Sequence, residues 1–291
     1  LHGVPVDRRV GAGRRRSASG RSDPLIPAPV RYARASSVEE ALELLADPEA
    51  KAIAGGQSLI PVLKLRIARP SLVVDISWLE LRDVAIRGGE LHLGPLTTWD
   101  DLLRAPELDR PALAALAECA SGIGDLQVRN RGTIGGSLAH ADPASDMPAV
   151  LLALGAVLQL RSTAGERTVA AADFALGPFT TALDAQELIV DIVVPVPGAG
   201  SGSAYVSVEH PASGFALAGA AALVAADGSR SIAVTGIASN PFVVSDESQP
   251  YAGVDVFDDR YATAEYRRHV TEVVVRRALE RAERHRQEDR E

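Results

Sequence analysis

The chain has 291 residues, 46% of them hydrophobic, and a formal net charge of −8 from 30 basic and 38 acidic residues. That length can bury a sizeable core spread over two or three subdomains, and the acidic balance argues against general nucleic-acid binding. No apolar run approaches the roughly 20 residues that span a bilayer, and the lone cysteine can neither close an internal disulfide nor ligate an iron–sulfur cluster.

Residues 1–24 carry RRV, GRRR and GRS with almost no apolar residues. They lack the apolar core of a secretory signal and read as a disordered tail. The fold begins near Pro27. Ser37 and Glu40 have capping-box spacing, and Val38, Ala41, Leu42 and Leu45 share one helical face. Asp47-Pro48 stops that helix. Lys51–Ala54 predicts a short strand leading into AGGQS at Ala54–Ser58. Leu59–Arg66 follows as a short helix with Pro61 in its first turn, and Leu72–Ile76 as a buried strand. Together these make a small βαβ-like unit.

Val84–Arg87 and Glu90–Leu93 read as a hairpin about Gly88-Gly89. Thr98 caps a helix over Trp99–Arg104. Pro111–Ser121 is an Ala/Leu helix in which Cys119 reads as a small buried residue. A second glycine-rich stretch follows, RNRGTIGGSLAHADP at Arg129–Pro143. Asp146 and Pro148 then open an apolar helix over Met147–Leu154, and Ala156–Arg161 and Leu188–Val194 read as strands. Gly198–Ser203, GAGSGS, is a composition break that reads as a linker. Beyond it lie three β-like runs, Ala204–Glu209, Ala216–Val224 and Ser231–Ile237, with a turn at Ala226-Asp227-Gly228. A final helix starts near Thr263, with Tyr266, Val270, Val273, Val274 and Leu279 near one face.

The two glycine stretches carry the candidate chemistry. Glycine permits positive φ and lets the backbone approach another group closely. Consecutive N–H groups can then bind an anion without a lysine, because amide nests and helix N-termini carry partial positive charge. Two such loops suggest two walls around a diphosphate; the alternative is two tight turns with no ligand. The Rossmann motif G-x-G-x-x-G after a strand and the P-loop motif are both absent. No His/Cys cluster has metal-ligand spacing.

AGGQSLIPVLKLRIARP at Ala54–Pro70 and RNRGTIGGSLAHADPASDMPAVLLAL at Arg129–Leu154 resemble the FAD-binding medium subunit of the molybdenum hydroxylases. This is the family of carbon monoxide dehydrogenase and xanthine dehydrogenase. The similarity runs from about Pro27 to Pro195 and continues more weakly through SAYVSVEHPASGFALAG and AEYRRH. It implies an α+β fold. A two-subdomain FAD-binding domain of the molybdopterin dehydrogenase (PCMH) type would occupy residues 25–197. A small α+β domain with a three-stranded antiparallel sheet would occupy residues 203–288.

The resemblance also implies that FAD lies between Ala54, Gly55, Gly56, Gln57, Ser58 and Leu59 on one side and Thr133, Ile134, Gly135, Gly136 and Ser137 on the other. Expected diphosphate donors are the N–H groups of Gly55, Gly56, Gln57, Ser58, Thr133, Gly135 and Gly136, with the hydroxyls of Ser58 and Thr133. Asp146 falls on an acidic position facing the ribityl or phosphate side; its other reading is a helix cap. His140 and Asp142 fall near the diphosphate or ribose, or else serve the turn. Leu183 falls beside the isoalloxazine ring, and Arg129 balances buried charge or contacts the flavin region.

No catalytic residue or metal ligand is expected on this chain. The implied partners are an iron–sulfur small subunit and a molybdenum-cofactor large subunit, in a cytoplasmic dimer of heterotrimers. Electrons would run from molybdenum through 2Fe–2S clusters to FAD and an external acceptor. Two departures stand out: relatives carry a basic residue shortly after SAY, and a longer helical stretch within 238–261. A cofactor-free scaffold and a self-contained flavoenzyme of the UDP-sugar reductase type are the alternatives.

Overall fold

The computed structural model describes residues 26–288, so the arginine-rich stretch read as a tail lies outside the described residues. The chain starts with β1 (Arg31–Arg34), α1 (Val38–Leu44), β2 (Ala50–Ile53), α2 (Leu59–Lys64) and β3 (Leu72–Asp75). The three strands form a parallel sheet in the order β1-β3-β2. Parallel pairing needs crossover connections, which α1 and α2 supply. Ser37 caps α1, its Oγ accepting the Glu40 N–H at 3.1 Å. The Glu40 carboxylate reaches back one residue further than a capping box requires, to the N–H of Ser36 at 2.8 Å. Ala41, Leu42, Leu45, Val74 and Leu79 form the small core of this unit. β1 was not foreseen: RYAR is largely exposed, and its backbone bonds to β3 hold it.

The second unit contains β4 (Val84–Arg87), β5 (Glu90–Leu93), α3 (Trp99–Arg104), α4 (Ala114–Gly122), α5 (Leu126–Arg129), α6 (Ile134–His140) and α7 (Met147–Ala153). It continues through β6 (Val157–Ser162), β7 (Gly165–Ala170), α8 (Ala171–Phe174), β8 (Ala175–Gly177), β9 (Thr180–Thr181) and β10 (Leu188–Pro195). Gly88 and Gly89 adopt φ of 60° and 86°, the left-handed pair that closes a tight hairpin. Thr98 and Asp101 form a reciprocal capping box on α3. The expected helix over Pro111–Ser121 begins as a 3-10 turn at Pro111–Leu113, and only then becomes α4. Cys119 is buried in it, as expected. Five strands pair in the antiparallel order β4-β5-β10-β6-β7. Over their inner face lie Leu91, Leu93, Leu116, Ile134, Met147, Leu151, Leu158 and Ile192, all fully buried. β7 escaped the sequence reading because GERTVA is an exposed edge strand with no alternation.

The last unit comprises β11 (Gly202–Glu209), β12 (Ala216–Val224), β13 (Arg230–Thr235), β14 (Phe242–Val243) and α9 (Ala264–Glu288). Its antiparallel sheet has four strands in the order β11-β12-β13-β14, one more than expected. The fourth is two residues long, too short to leave a pattern. Among the described residues, 244–263 contain no helix, in line with the missing periodicity there.

GAGSGS is not a free linker. Ser201 and Ser203 are buried, and their hydroxyls accept the N–H groups of Ala226 (3.1 Å) and Ala115 (3.0 Å). A Cβ on Gly202 would overlap the Ala282 carbonyl and the Arg286 amide of α9. The buried face of α9 is Arg267, Val270, Thr271, Val274, Val275, Ala278 and Ala282, whereas Tyr266 is exposed. Small residues win that face because the helix closes on an alanine-rich strand, β12. Tyr205, Ala221 and Ala233 of this unit share the core of the second. No helix among the described residues is long and apolar enough to cross a membrane.

Gly202→Ala should therefore destabilise the chain by about 1–3 kcal/mol through overpacking, read as a lower urea midpoint at unchanged slope. Gly198→Ala, four residues earlier with nothing within 4 Å, should stay within about 0.5 kcal/mol of wild type.

Candidate functional site

The first glycine loop joins β2 to α2. Gly56 has φ of 76°, so glycine is required there. Ser58 enters α2 without a side-chain capping bond, leaving its hydroxyl uncommitted. The first backbone bond of the helix runs from the Ile60 N–H to the Gly56 carbonyl, 3.0 Å. The N–H groups of Gly55, Gly56, Gln57, Ser58 and Leu59 consequently have no acceptor among the described residues. A run of unpaired amides at a helix start is an anion site.

The second stretch is built differently. None of Gly132, Gly135 and Gly136 uses positive φ; the chain is helical from Ile134, with Thr133 as the N-cap of α6. The Thr133 hydroxyl oxygen accepts the Gly136 N–H at 3.1 Å. The N–H groups of Ile134, Gly135 and Ser137 go to the carbonyls of Thr97 (3.0 Å), Pro95 (2.9 Å) and Thr133 (3.0 Å). Gly135 and Gly136, expected as diphosphate donors, are thus already engaged by protein acceptors. The physical reason is that a capped helix satisfies its own first turn.

Its glycines serve close packing instead. A Cβ on Gly132 would come within 2.8 Å of the Trp99 indole nitrogen, and one on Gly135 would meet Pro95. Gly136 alone of the three is exposed, and a Cβ there would meet Thr133 Oγ1 at 2.8 Å and Ala54 Cβ at 3.9 Å. The two loops abut. A Cβ on Gly55 would overlap the Arg131 carbonyl oxygen, and Gln57 Nε2 donates to the Gln127 carbonyl at 3.4 Å. Arg129 caps the end of α4 and its exit, donating to the carbonyls of Ile123 (3.2 Å) and Gly124 (2.7 Å).

The remaining candidates spread from this junction. Ser137 Oγ meets Ser145 Oγ at 2.8 Å, tying α6 to the approach of α7. His140 packs its ring against Phe179, with centroids 5.1 Å apart. Asp142 closes a turn by accepting the Ala144 N–H at 2.9 Å. Leu183 packs, partly buried, against the main core. Asp146 stands before α7 but makes no capping bond. Its Oδ1 instead accepts the Tyr205 hydroxyl.

Asp146 and Tyr205 line a polar cleft of about 280 Å³ with Glu118, Ser121, Ser207, Glu209 and Arg281. Burial raises the Asp146 carboxyl to about 6, against the Tyr205 hydrogen bond and aided by Glu209 and Asp142. Tyr205 was not among the residues singled out for the site. Its signal was available: Gly219, two residues from its cross-strand partner Ala221, is where a Cβ would overlap the Tyr205 hydroxyl.

Comparison with known proteins adds three findings. A family model, the FAD binding domain in molybdopterin dehydrogenase, matches residues 28–197. The glyceraldehyde dehydrogenase medium chain of Sulfolobus acidocaldarius is 39% identical over 241 residues, covering 81% of this chain and 85% of that one. Carbon monoxide dehydrogenase from Hydrogenophaga pseudoflava has a chain that superposes with a TM-score of 0.85 at 35% identity, covering 89% of this chain and 99% of that one.

A carboxyl whose folded-state value is raised stabilises the fold only while protonated. Its contribution is full below the ordinary aspartate range and is lost as pH rises toward about 6. Asp146→Asn should therefore stabilise the ligand-free chain by about 1–3 kcal/mol near pH 7.5, and by nothing near pH 4. Urea unfolding at the two pH values measures this; an Asn variant less stable at the higher pH contradicts it.

Proposed function

The chain belongs to the family of FAD-binding domains in molybdopterin dehydrogenases, and from that membership we infer that it is the FAD-carrying electron-transfer subunit of a molybdenum hydroxylase. The observation that carries the reading is the run of unpaired amides at Gly55–Leu59 beside the exposed face of Gly136. A diphosphate supplies the acceptors that those amides lack, and a bare glycine face leaves room for it.

In this reading the Gly55–Leu59 amides and the Ser58 hydroxyl hold the diphosphate. Ala54 and Gly136 form the narrow walls, with Thr133, Ile134, Gly135 and Ser137 as the rigid backing of the second wall. Asp146 faces the ribityl side. His140, Asp142 and Leu183 flank the ligand at greater remove, and their contacts to turn and core are compatible with that place. FAD, when bound, takes up electrons and passes them to an external acceptor; this chain's residues hold the cofactor, order it and exclude water.

The division into residues 25–197 for the cofactor and 203–288 for support belongs to the same proposal. So do its partners, an iron–sulfur small subunit and a molybdenum-cofactor large subunit in a dimer of heterotrimers. The organic substrate is then oxidised on another polypeptide. The amide run speaks against a cofactor-free scaffold. Likeness to medium chains along most of the sequence favours the subunit reading over a self-contained flavoenzyme.

The purified chain should take up about one FAD, judged by flavin absorbance after gel filtration. Gly136→Val should lower FAD affinity at least tenfold, about 1.4 kcal/mol or more, with the far-UV circular dichroism unchanged. The effect combines occupied ligand space with a shift of the Thr133 hydroxyl, which a Cβ there would meet at 2.8 Å; valine itself costs a helix under about 1 kcal/mol. Unchanged FAD affinity in this variant places the diphosphate elsewhere.

A further inference from the structure

We propose that Thr235 of the C-terminal unit is a positioning residue for the flavin site: through Ser145 and Ser137 it fixes the far end of α6, and with it the Gly136 face that bounds the diphosphate. The proposal rests on the FAD reading and adds to it a residue from another unit, itself only 1% exposed.

α6 has seven residues, Ile134–His140, too few to keep a helix without neighbours. Its first turn is anchored, because the Ile134 and Gly135 N–H groups reach the carbonyls of Thr97 and Pro95. Its other end is less secure. Ala141 stops the helix in the left-handed region, φ 49°, which is strained for a residue with a Cβ. Residues 142–146 form neither helix nor strand. The Phe179 N–H holds the Ala141 carbonyl from one side at 2.8 Å. The direction of α6 is otherwise set by whatever holds 142–146.

β13 holds that segment. The Thr235 hydroxyl donates to the Ser145 carbonyl at 2.7 Å, with the Pro143 carbonyl at 3.2 Å as a longer second acceptor. The Gly236 N–H reaches the same Pro143 carbonyl at 3.1 Å. Gly236 has φ of 84°, and a Cβ there would come within 2.7 Å of the Ala216 carbonyl oxygen, so glycine is required for the turn that aims this N–H. Ser145, also buried, places its Oγ 2.8 Å from Ser137 Oγ. Ser137 adjoins Gly136, where a Cβ would stand 3.9 Å from Ala54 Cβ of the first loop. A continuous chain of contacts thus runs from β13 to the junction of the two loops.

The hydroxyl, rather than the shape, is the informative part of Thr235. Valine has the same shape and fills a core without a polar group to satisfy. The Thr235 hydroxyl makes both of its contacts outside its own unit, on the segment that ends α6. A wall made of backbone acts only by where it stands, and a displacement of about 0.5 Å is enough to spoil a preorganised site.

The test measures FAD dissociation constants by flavin fluorescence on the full chain without denaturant, beside urea curves that show each variant folded under those conditions. Thr235→Val should weaken FAD roughly threefold to thirtyfold, the range over which packed networks couple. Thr235→Ser keeps the hydroxyl and should stay within about twofold of wild type. Ser145→Ala deletes a different bond of the same chain and should weaken FAD in the same range as Thr235→Val. The double variant should bind no worse than the worse single, whereas independent sites would multiply their losses. In the ligand-free chain, amides of 137–141 should exchange faster in Thr235→Val than in wild type, with those of 55–59 unchanged.

A Thr235→Val protein with a lower urea midpoint but the wild-type FAD affinity marks a purely structural tie and overturns the proposal. So does a Thr235→Ser protein as weak as Thr235→Val, which removes the hydroxyl from the explanation, and so do losses that multiply in the double variant. If Thr235→Val does not fold, Ser145→Ala decides alone, and wild-type affinity in that variant overturns the proposal. Wild type that binds no FAD overturns the FAD assignment itself, and the proposal with it.

Discussion

The site depends on one close approach between two backbones, Gly55 against the carbonyl of Arg131. Only a residue without a side chain allows it. That contact presses the β2–α2 loop against the turn that leads into α6, and so fixes where the unpaired amides of Gly55–Leu59 stand. The two glycine stretches look alike in sequence but do opposite things with their N–H groups. The second pairs those of Ile134–Ser137 with Thr97, Pro95 and Thr133, leaves only the Thr133 N–H without an acceptor among the described residues, and forms a rigid wall. The first leaves those of Gly55–Leu59 without an acceptor among the described residues.

Much of this frame was legible from residue patterns. The Gly88-Gly89 hairpin, the Thr98 cap and the apolar α7 followed from local rules whose signals are dense. The strands β1, β7 and β14 were not legible, because edge strands with exposed residues are held by backbone bonds that leave no apolar period. GAGSGS misled for a different reason. Small residues mark both flexible linkers and places where a helix must come very near, and Gly202 beneath α9 is the second kind. At the site, the positions of the glycines were readable, but their roles were not. Whether an N–H is free depends on carbonyls at Pro95 and Thr97, distant in sequence.

The C-terminal unit helps to build the polar cleft that Asp146 lines. β11 supplies Tyr205 and Glu209 to the polar cleft, and α9 supplies Arg281. After Tyr205 this chain has Val206, Ser207, Val208 and Glu209, so the cleft is poor in positive charge on that side. A half-buried carboxyl raised to about 6 fits such surroundings. It is a local loss of stability held in place by a large surrounding core, a common property of functional sites.

Hydrogen exchange measured by mass spectrometry, with and without FAD, tests the division of labour between the two loops most directly. The account predicts that amides in 55–59 exchange fast in the free chain and slow markedly with FAD. Amides in 134–137 should already be slow without it. Protection by FAD confined to 134–137, with 55–59 unchanged, would contradict the account.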